Sequence, residues 1–503
     1  MVNLKNKTRG LLIALIVLTL SIPLFGQRNI RNLEIKLDQE VSKAIAIPVE
    51  KKGVLVMQRS KTKTADGKRN AFFRLYNTEL SEDWKVAIPI DKKHELSQYK
   101  FVDGLLYMVF TDPWADYIQV VRINPAESES TLQKFYTFKG LNFYDLDILG
   151  DKLYLVGAMK RQSLLMMFDM ESKGTRLFNT QLGNSECVIK SIVAKTEDNT
   201  IHVTLNNPEL KTPHVAVRSF DDLGKILNEM LVHIDKDYQV LESELVDMGD
   251  KGKTLIGTYA SKKSTAAEGI FIKNESWEAV NYHPIKSITD FVPEAYVEGG
   301  EKSTKKGEFI AINKVMNVNG QFVMVTESYD LVYDNDNNPL THKYEDPERS
   351  FNQVWAVNDL SYNKVPMAEY TRRLTAVAGY QLKYASMISF SESGKLLWGK
   401  NLGIADENIS KEYKRLKVIK DDNRVKFLNN YSGDVMEIDL EQKTAGMAKD
   451  TPASVDKDGN PIGSVVLSAA HWYDNYYLNI EVMPDNVSSS KKGAVLVIKK
   501  VRG

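Results

Sequence analysis

One pattern constrains this chain more than any other: a short β-rich run, a tight turn built on Asp, Gly or Asn, and a second run, repeated along the whole sequence. The unit reads Lys100-Phe101-Val102, Asp103-Gly104, then Leu105 to Phe110. It returns around Gly150-Asp151, Asp198-Asn199, Asp421-Asp422-Asn423 and Asp474-Asn475, each time between runs rich in Val, Ile, Tyr and Leu. Asp-Gly and Asp-Asn supply the positive-φ positions that tight hairpins require, and runs of this length and composition are strands.

Each hairpin leads to a third run and a second kind of turn. Phe168-Asp169 runs to Gly174 and Phe178, Phe220-Asp221 to Gly224 and Leu227, and Phe390-Ser391-Glu392 to Gly394 and Trp398. A looser copy joins Leu75-Tyr76 to Trp84. The Trp, Phe or Leu after this turn is expected to dock back onto its own blade. The period is about 45 to 50 residues, that of a four-stranded propeller blade. A chain of 503 residues exceeds one ordinary core, and a repeat array is the exception, because each unit packs on its neighbours.

The predicted fold is therefore all-β, a β-propeller of about eight four-stranded blades, with seven as the alternative because residues 288–412 break the period. Blades are expected near 42–90, 98–138, 142–182, 185–234, 238–288, 308–403 and 412–446. The C-terminus offers only three further strands, at Val465 to Leu467, Tyr476 to Ile480 and Ala494 to Ile498. The N-terminal run Asn32 to Leu37 is predicted to supply the fourth and close the ring, which removes open edges. Residues 328–379 are predicted to be an insertion within the sixth blade, with a helix over Ala368 to Ala378.

Residues 1–26 have the order of a secretory signal peptide. Lys5, Lys7 and Arg9 form a basic start, Leu11 to Leu20 is apolar, and Leu24-Phe25-Gly26 precedes the expected cleavage. The apolar run is shorter than the roughly 20 residues that span a bilayer. Residues 27–503 are then a single propeller domain without a membrane-spanning helix. The predicted destination is the periplasm, the outer-membrane surface or the outside of the cell.

Charges balance at 66 Lys and Arg against 66 Asp and Glu, and no run of Lys and Arg stands out. Nucleic acid is not the expected partner. The one cysteine, Cys187, does not follow the signal segment, so it is no lipidation site, and it has no second thiol to pair with. Beside Val188-Ile189 it reads as a buried apolar group.

The segment Phe390-Ser391-Glu392 followed by Gly394-Lys395-Leu396-Leu397-Trp398 resembles the tryptophan-docking motif of quinoprotein-like eight-bladed propellers. Degenerate copies stand at Asp169/Gly174 and Asp221/Gly224, with Phe178 and Asn228 at the Trp position. The resemblance implies one of two functions: a dehydrogenase with bound quinone and calcium, or a cofactor-free envelope scaffold such as a component of outer-membrane protein assembly. The dehydrogenases carry a vicinal cysteine pair, which a chain with one Cys lacks.

The sequence contains no His-Glu-x-x-His metal motif, no Gly-x-Ser-x-Gly elbow and no phosphate-cradling glycine loop. One calcium candidate stands out. Asp334, Asp336 and Asn338 occupy positions 1, 3 and 5 of a loop whose position 12 is Glu345, a spacing that offers hard oxygen ligands. Pro339 occupies the position where such loops need Gly, and a solvated acidic loop is the competing reading. No other cofactor is expected. Trp114, Tyr117, Trp355 and Tyr362 lie in or near loops and are the candidate partner-binding residues, since aromatic rings stack on sugars and anchor peptides. Trp472, Tyr473, Tyr476 and Tyr477 are further aromatics of the same kind, and the competing reading for all eight is that they pack blades together. The function predicted is noncatalytic binding of a protein or glycan partner in the bacterial envelope. The alternative is a glycan hydrolase or lyase whose carboxylates meet at the central channel.

Overall fold

The computed structural model describes residues 28–37, 41–159, 162–182, 187–207, 214–247, 251–262, 264, 266–288, 291, 308–333, 377–403, 409–410, 416–421, 424–429, 435–440, 444–447, 465–484 and 494–502. These form eight antiparallel sheets, the blades of a β-propeller. Blades 1 to 5 run over 41–90, 95–136, 142–178, 188–233 and 238–284. Blade 6 runs from Glu308 to Asn401 and blade 7 from Leu416 to Met447. Blade 8 combines Val465–Tyr473, Tyr476–Pro484 and Ala494–Arg502 with the N-terminal strand Arg28–Leu37, which lies outermost. The predicted closure is therefore present, and Leu33 pairs with Ile498 across it.

The turns carry the backbone that the sequence specifies. Asp103 and Gly104 both have positive φ, at 49° and 77°, as do Asn319 and Gly320, at 50° and 75°. That is the twist-matched hairpin geometry. Among the described residues, apolar side chains from both faces of the sheets fill eight clusters shared by adjacent blades, one at each junction, and a ninth within blade 6. Phe73 and Met108 meet between blades 1 and 2, Phe135 and Phe168 between blades 2 and 3, and Ile35 and Trp472 join blade 8 to blade 1. Full burial of such a side chain stabilises by about 1.5–3 kcal/mol.

The aromatic after the second turn docks differently from expectation. It seats on the following blade as well as its own. Trp84 Nε1 donates to Pro125 O of blade 2 at 3.0 Å. Phe178 rests on Gly224 of blade 4, where a Cβ would meet its ring at 3.0 Å. Gly394 is seated in the same way, with the Trp277 ring of blade 5 2.6 Å from where its Cβ would be, and His283 Nε2 donates to Gly394 O at 2.8 Å. The turns at Gly224 and Gly394 are thus sockets for the preceding blade, which explains why glycine stands there with φ of 84° and 74°.

In blade 6 the second and third strands, Gln321–Tyr333 and Val377–Ser391, form one long ladder ending at Tyr333↔Val377. Residues 328–333 and 377–379, assigned to the insertion from the sequence, are therefore strand, and Val377 and Ala378 are extended rather than helical. Residues 334–376 lie outside the described residues. Among the described residues no helix is long and apolar enough to cross a membrane.

Strand direction alternates within every blade. The first-to-second and third-to-fourth turns therefore emerge at one end of the ring, here called the turn end. The second-to-third connections and the links between blades emerge at the other, the loop end. Residues 334–376 leave from the loop end, as does the turn that carries Trp114.

Candidate functional site

Two regions of the ring could carry function: the channel lined by the first strand of each blade, and the loop end. The channel strands share an unpredicted feature. Seven of the eight are interrupted by a β-bulge, at Val41/Lys43, Leu96/Gln98, Phe143/Asp145, Ile189/Ser191, Val240/Glu242, Ile312/Lys314 and Val466/Ser468. A bulge re-aims side chains, and here the residue on its far side is polar every time. The extra residues reach the next blade. Tyr144 OH donates to Ile189 O at 2.8 Å, Lys190 Nζ to Leu241 O at 2.9 Å, and Asn313 Nδ2 to Leu416 O at 2.5 Å.

The carboxylates of these strands are engaged in the same way. Asp145 Oδ2 accepts from Ile192 N at 3.3 Å and Asp147 Oδ2 from Ala194 N at 2.9 Å. Glu242 Oε2 accepts from Ile312 N at 2.6 Å and Glu244 Oε2 from Val315 N at 2.8 Å. Lys100 Nζ pairs with Asp147 at 2.5 Å, and Lys195 pairs with Asp247. Glu327, fully buried one strand out, accepts from Leu416 N at 3.1 Å. Asp145, Asp147, Glu242, Glu244 and Glu327 each accept a backbone N–H of the next blade at the blade-to-blade junction. Among the described residues no three His, Cys, Asp or Glu side chains are grouped closely enough to hold a metal ion.

The loop end of blades 1 and 2 is built otherwise. The Asp112–Asp116 turn presents Trp114 with 69% of its surface exposed, and Asp112 Oδ1 holds the turn by accepting from Trp114 N at 3.0 Å. The chain leaving blade 2 runs alongside: Thr137 N donates to Asp116 O and Gly140 N to Pro113 O, both at 2.8 Å. That segment carries Tyr136, 69% exposed, and Phe138, 44% exposed. Three large aromatic surfaces facing water in one short stretch are unusual for a free surface.

Tyr117 is the floor of this patch. It pairs with Tyr136 across the outer strands, and Lys134 Nζ lies 3.4 Å from the centre of its ring and 5.7 Å from that of Tyr136. Its hydroxyl donates to Asp91 Oδ2 at 2.6 Å. Burial first, then that hydrogen bond to Asp91 and the Asp91 charge, push the Tyr117 hydroxyl up to about 12. His94, buried, stacks on Tyr117 with 4.6 Å between ring centres, and its Nε2 donates to Tyr117 O at 3.2 Å. Burial holds the imidazole below its usual range, so it is neutral at pH 7. Beneath, the buried Arg59 guanidinium forks to three carbonyls: Arg69 O at 2.8 Å, Asp91 O at 2.9 Å and His94 O at 3.2 Å.

The structure thus exposes Trp114 and half-buries Tyr117 beside it. Trp355, Tyr362 and the calcium candidates Asp334, Asp336, Asn338 and Glu345 lie outside the described residues. Tyr136 and Phe138 were missed in the sequence because they end a strand whose alternation around Phe135 reads as core. Trp472 and Tyr477 are buried and join blades, with Trp472 Nε1 donating to Gly53 O of blade 1 at 2.8 Å. Cys187 is buried, and burial raises its thiol.

One histidine makes a pH prediction. His202 is buried, Nδ1 meets Ser219 Oγ at 2.8 Å, and Nε2 has no hydrogen-bond partner among the described residues. Burial, then Lys253 and Lys195, push it down to about 4. Between about pH 6.5 and 4 the unfolded chain binds a proton that the folded chain refuses. Stability is therefore full above that window and falls through it as the solution is acidified, by about 2–3 kcal/mol from this residue. Thermal melts from pH 7.5 to 4.5 are expected to show a shallower decline for His202→Gln than for the natural chain; equal slopes would refute the assignment.

No protein-family profile matches the chain, and no curated protein matches it in sequence. Several solved structures align along most of the chain at low identity. A europium-containing methanol dehydrogenase aligns over 94% of this chain and 93% of its own, at 10% identity and TM-score 0.44. The dihydro-heme d1 dehydrogenase NirN aligns over 93% and 79%, at 10% identity and TM-score 0.45. The polysaccharide lyase Uly1 aligns over 94% and 99%, at 10% identity and TM-score 0.42.

Proposed function

We propose that this protein is an exported, noncatalytic β-propeller that holds a protein or glycan partner in the bacterial envelope through the loop end of its ring. The observation that carries the reading is the exposed patch of Trp114, Tyr136 and Phe138, at the same end from which residues 334–376 depart. The channel supports it from the other side. A glycan hydrolase or lyase needs a carboxyl group free to exchange a proton with its substrate, whereas Asp145, Asp147, Glu242 and Glu244 accept backbone N–H groups of the neighbouring blade. Export is supported by the order of residues 1–26, a basic start, an apolar run and a polar exit.

The test is capture of the tagged mature protein from the cells that make it, after mild crosslinking, with protein and glycan analysis of what is retained. A partner at near-stoichiometric yield is expected, with loss when residues 334–376 are replaced by a short Gly-Ser turn or when Trp114 and Tyr136 are both changed to Ala. No partner above background, together with turnover of a glycan by the purified chain, would replace this reading with the enzymatic one.

A further inference from the structure

We propose that the loop end of blades 1 and 2 binds an acidic polysaccharide, with Lys63, Arg69, Lys92 and Lys93 pairing its carboxylates or sulfates while Trp114 and Tyr136 stack on its sugar rings. This rests on the binding reading above and names the partner's chemistry.

The cations are assembled by the fold from separate segments. Lys63 ends the second strand of blade 1 and Arg69 begins the third, and the two stand directly opposite each other. Like charges in that relation destabilise a sheet. The Arg59 fork then ties Arg69 to the Asp91–His94 connection, which presents the exposed Lys92 and Lys93. Lys63 crowds Lys92 closely enough to hold its ammonium below the usual lysine range. Among the described residues none of the four makes a salt bridge. Of the neighbouring carboxylates, Asp66 pairs with Lys68 at 3.3 Å, Asp91 accepts from Tyr117 at 2.6 Å, Asp112 accepts from Trp114 N at 3.0 Å, and Glu95 acts on the buried Arg59. In a chain whose charges cancel overall, this concentration carries a cost in the free protein that an anionic ligand relieves.

The basic cluster and the aromatic patch share a border. Asp91 and His94 belong to the connection that bears Lys92 and Lys93, and both contact Tyr117, the floor under Tyr136. A pyranose presents a flat C–H face that suits an exposed ring, and a uronic acid or sulfated sugar adds the anion at its rim. An acidic peptide would satisfy the cations, but its acidic side chains offer the two rings no C–H face of the kind every sugar residue repeats.

The experiment measures affinity of the purified mature chain for alginate, polygalacturonate and chondroitin sulfate, with dextran, polyglutamate and anionic phospholipid vesicles as contrasts. At least one acidic glycan is expected to bind, weakening about tenfold or more when salt rises to about 0.5 M. The variant Lys63→Glu/Lys92→Glu/Lys93→Glu is expected to lose binding by about a hundredfold, and Trp114→Ala/Tyr136→Ala by about tenfold. Both variants change exposed side chains, and unchanged thermal melts establish that they fold. Absence of binding to every acidic glycan overturns the proposal, as does equal binding to dextran. Polyglutamate or vesicle binding of equal strength and equal dependence on Trp114 and Tyr136 also overturns it, in favour of an acidic peptide or a membrane. If the capture experiment still yields a partner while no acidic glycan binds, only this inference falls; if both fail, so does the binding reading.

Discussion

Deletion of residues 28–37 is expected to abolish the folded monomer rather than trim it. The strand Arg28–Leu37 pairs along Ala494–Arg502 and is the outer edge of blade 8. It buries Ile35 against the Ile498 and Leu478 cluster, with Leu33 and Leu37 packed beside it. Loss of those contacts removes about 5 kcal/mol, which is comparable to the whole net stability of an ordinary domain. It also uncovers a full-length strand edge, a template for pairing between chains. Size-exclusion chromatography of the truncated chain should show aggregates, and urea unfolding should lose its cooperative transition. A monodisperse protein with an unchanged midpoint would mean that three C-terminal strands close the ring unaided.

Arg59→Ala is expected to cost about 3–5 kcal/mol, the most of any single change at the loop end. The guanidinium is buried and satisfies three carbonyls from two segments, at Arg69, Asp91 and His94. Removing it leaves all three without that donor beneath blade 1. Arg59→Lys should restore less than half of the loss, because a single ammonium cannot fork in one plane to three acceptors. Urea denaturation of the three proteins measures this. A loss below about 1 kcal/mol for Arg59→Ala would show that the fork contributes little beyond an ordinary neutral hydrogen bond. Because the same fork positions Lys92, Lys93 and His94, partner affinity should fall in the Ala variant even at temperatures where it remains folded.

The architecture was legible in the sequence because its signals are local. Hairpin dipeptides such as Asp103-Gly104, the spacing of the strand runs, and the spare run at Asn32 to Leu37 can each be read without knowing any distant partner. The channel stitching was not, because its partners lie one blade apart. Lys100 meets Asp147, Asp145 meets Ile192 and Asp147 meets Ala194, each across 47 residues. A faint trace exists in the sequence: acids and lysines recur inside strands that should alternate with apolar residues, and their separation equals the blade period. The site was half legible. Trp114 was legible as a loop aromatic, and it is exposed. Lys63, Arg69 and Lys92 form no run, so their convergence is a property of the fold alone. The docking of Trp84 onto Pro125 of the next blade shows the same limit, since a side chain's own strand does not specify which neighbour it meets.

The outermost strand of blade 8 sets a timetable for folding. It is the first part of the propeller to be synthesised, and its partner, Ala494–Arg502, is the last. Blades 1 to 7 can each form from contiguous chain as they emerge, but the final join waits until Ala494–Arg502 has been made and carried across any membrane. Until then the chain carries an unsatisfied strand at its front and an open seam at its growing end. Closure is therefore a molecular proof of completeness: a chain stopped anywhere short of Ala494 cannot hide its first strand, and remains open to proteases and chaperones.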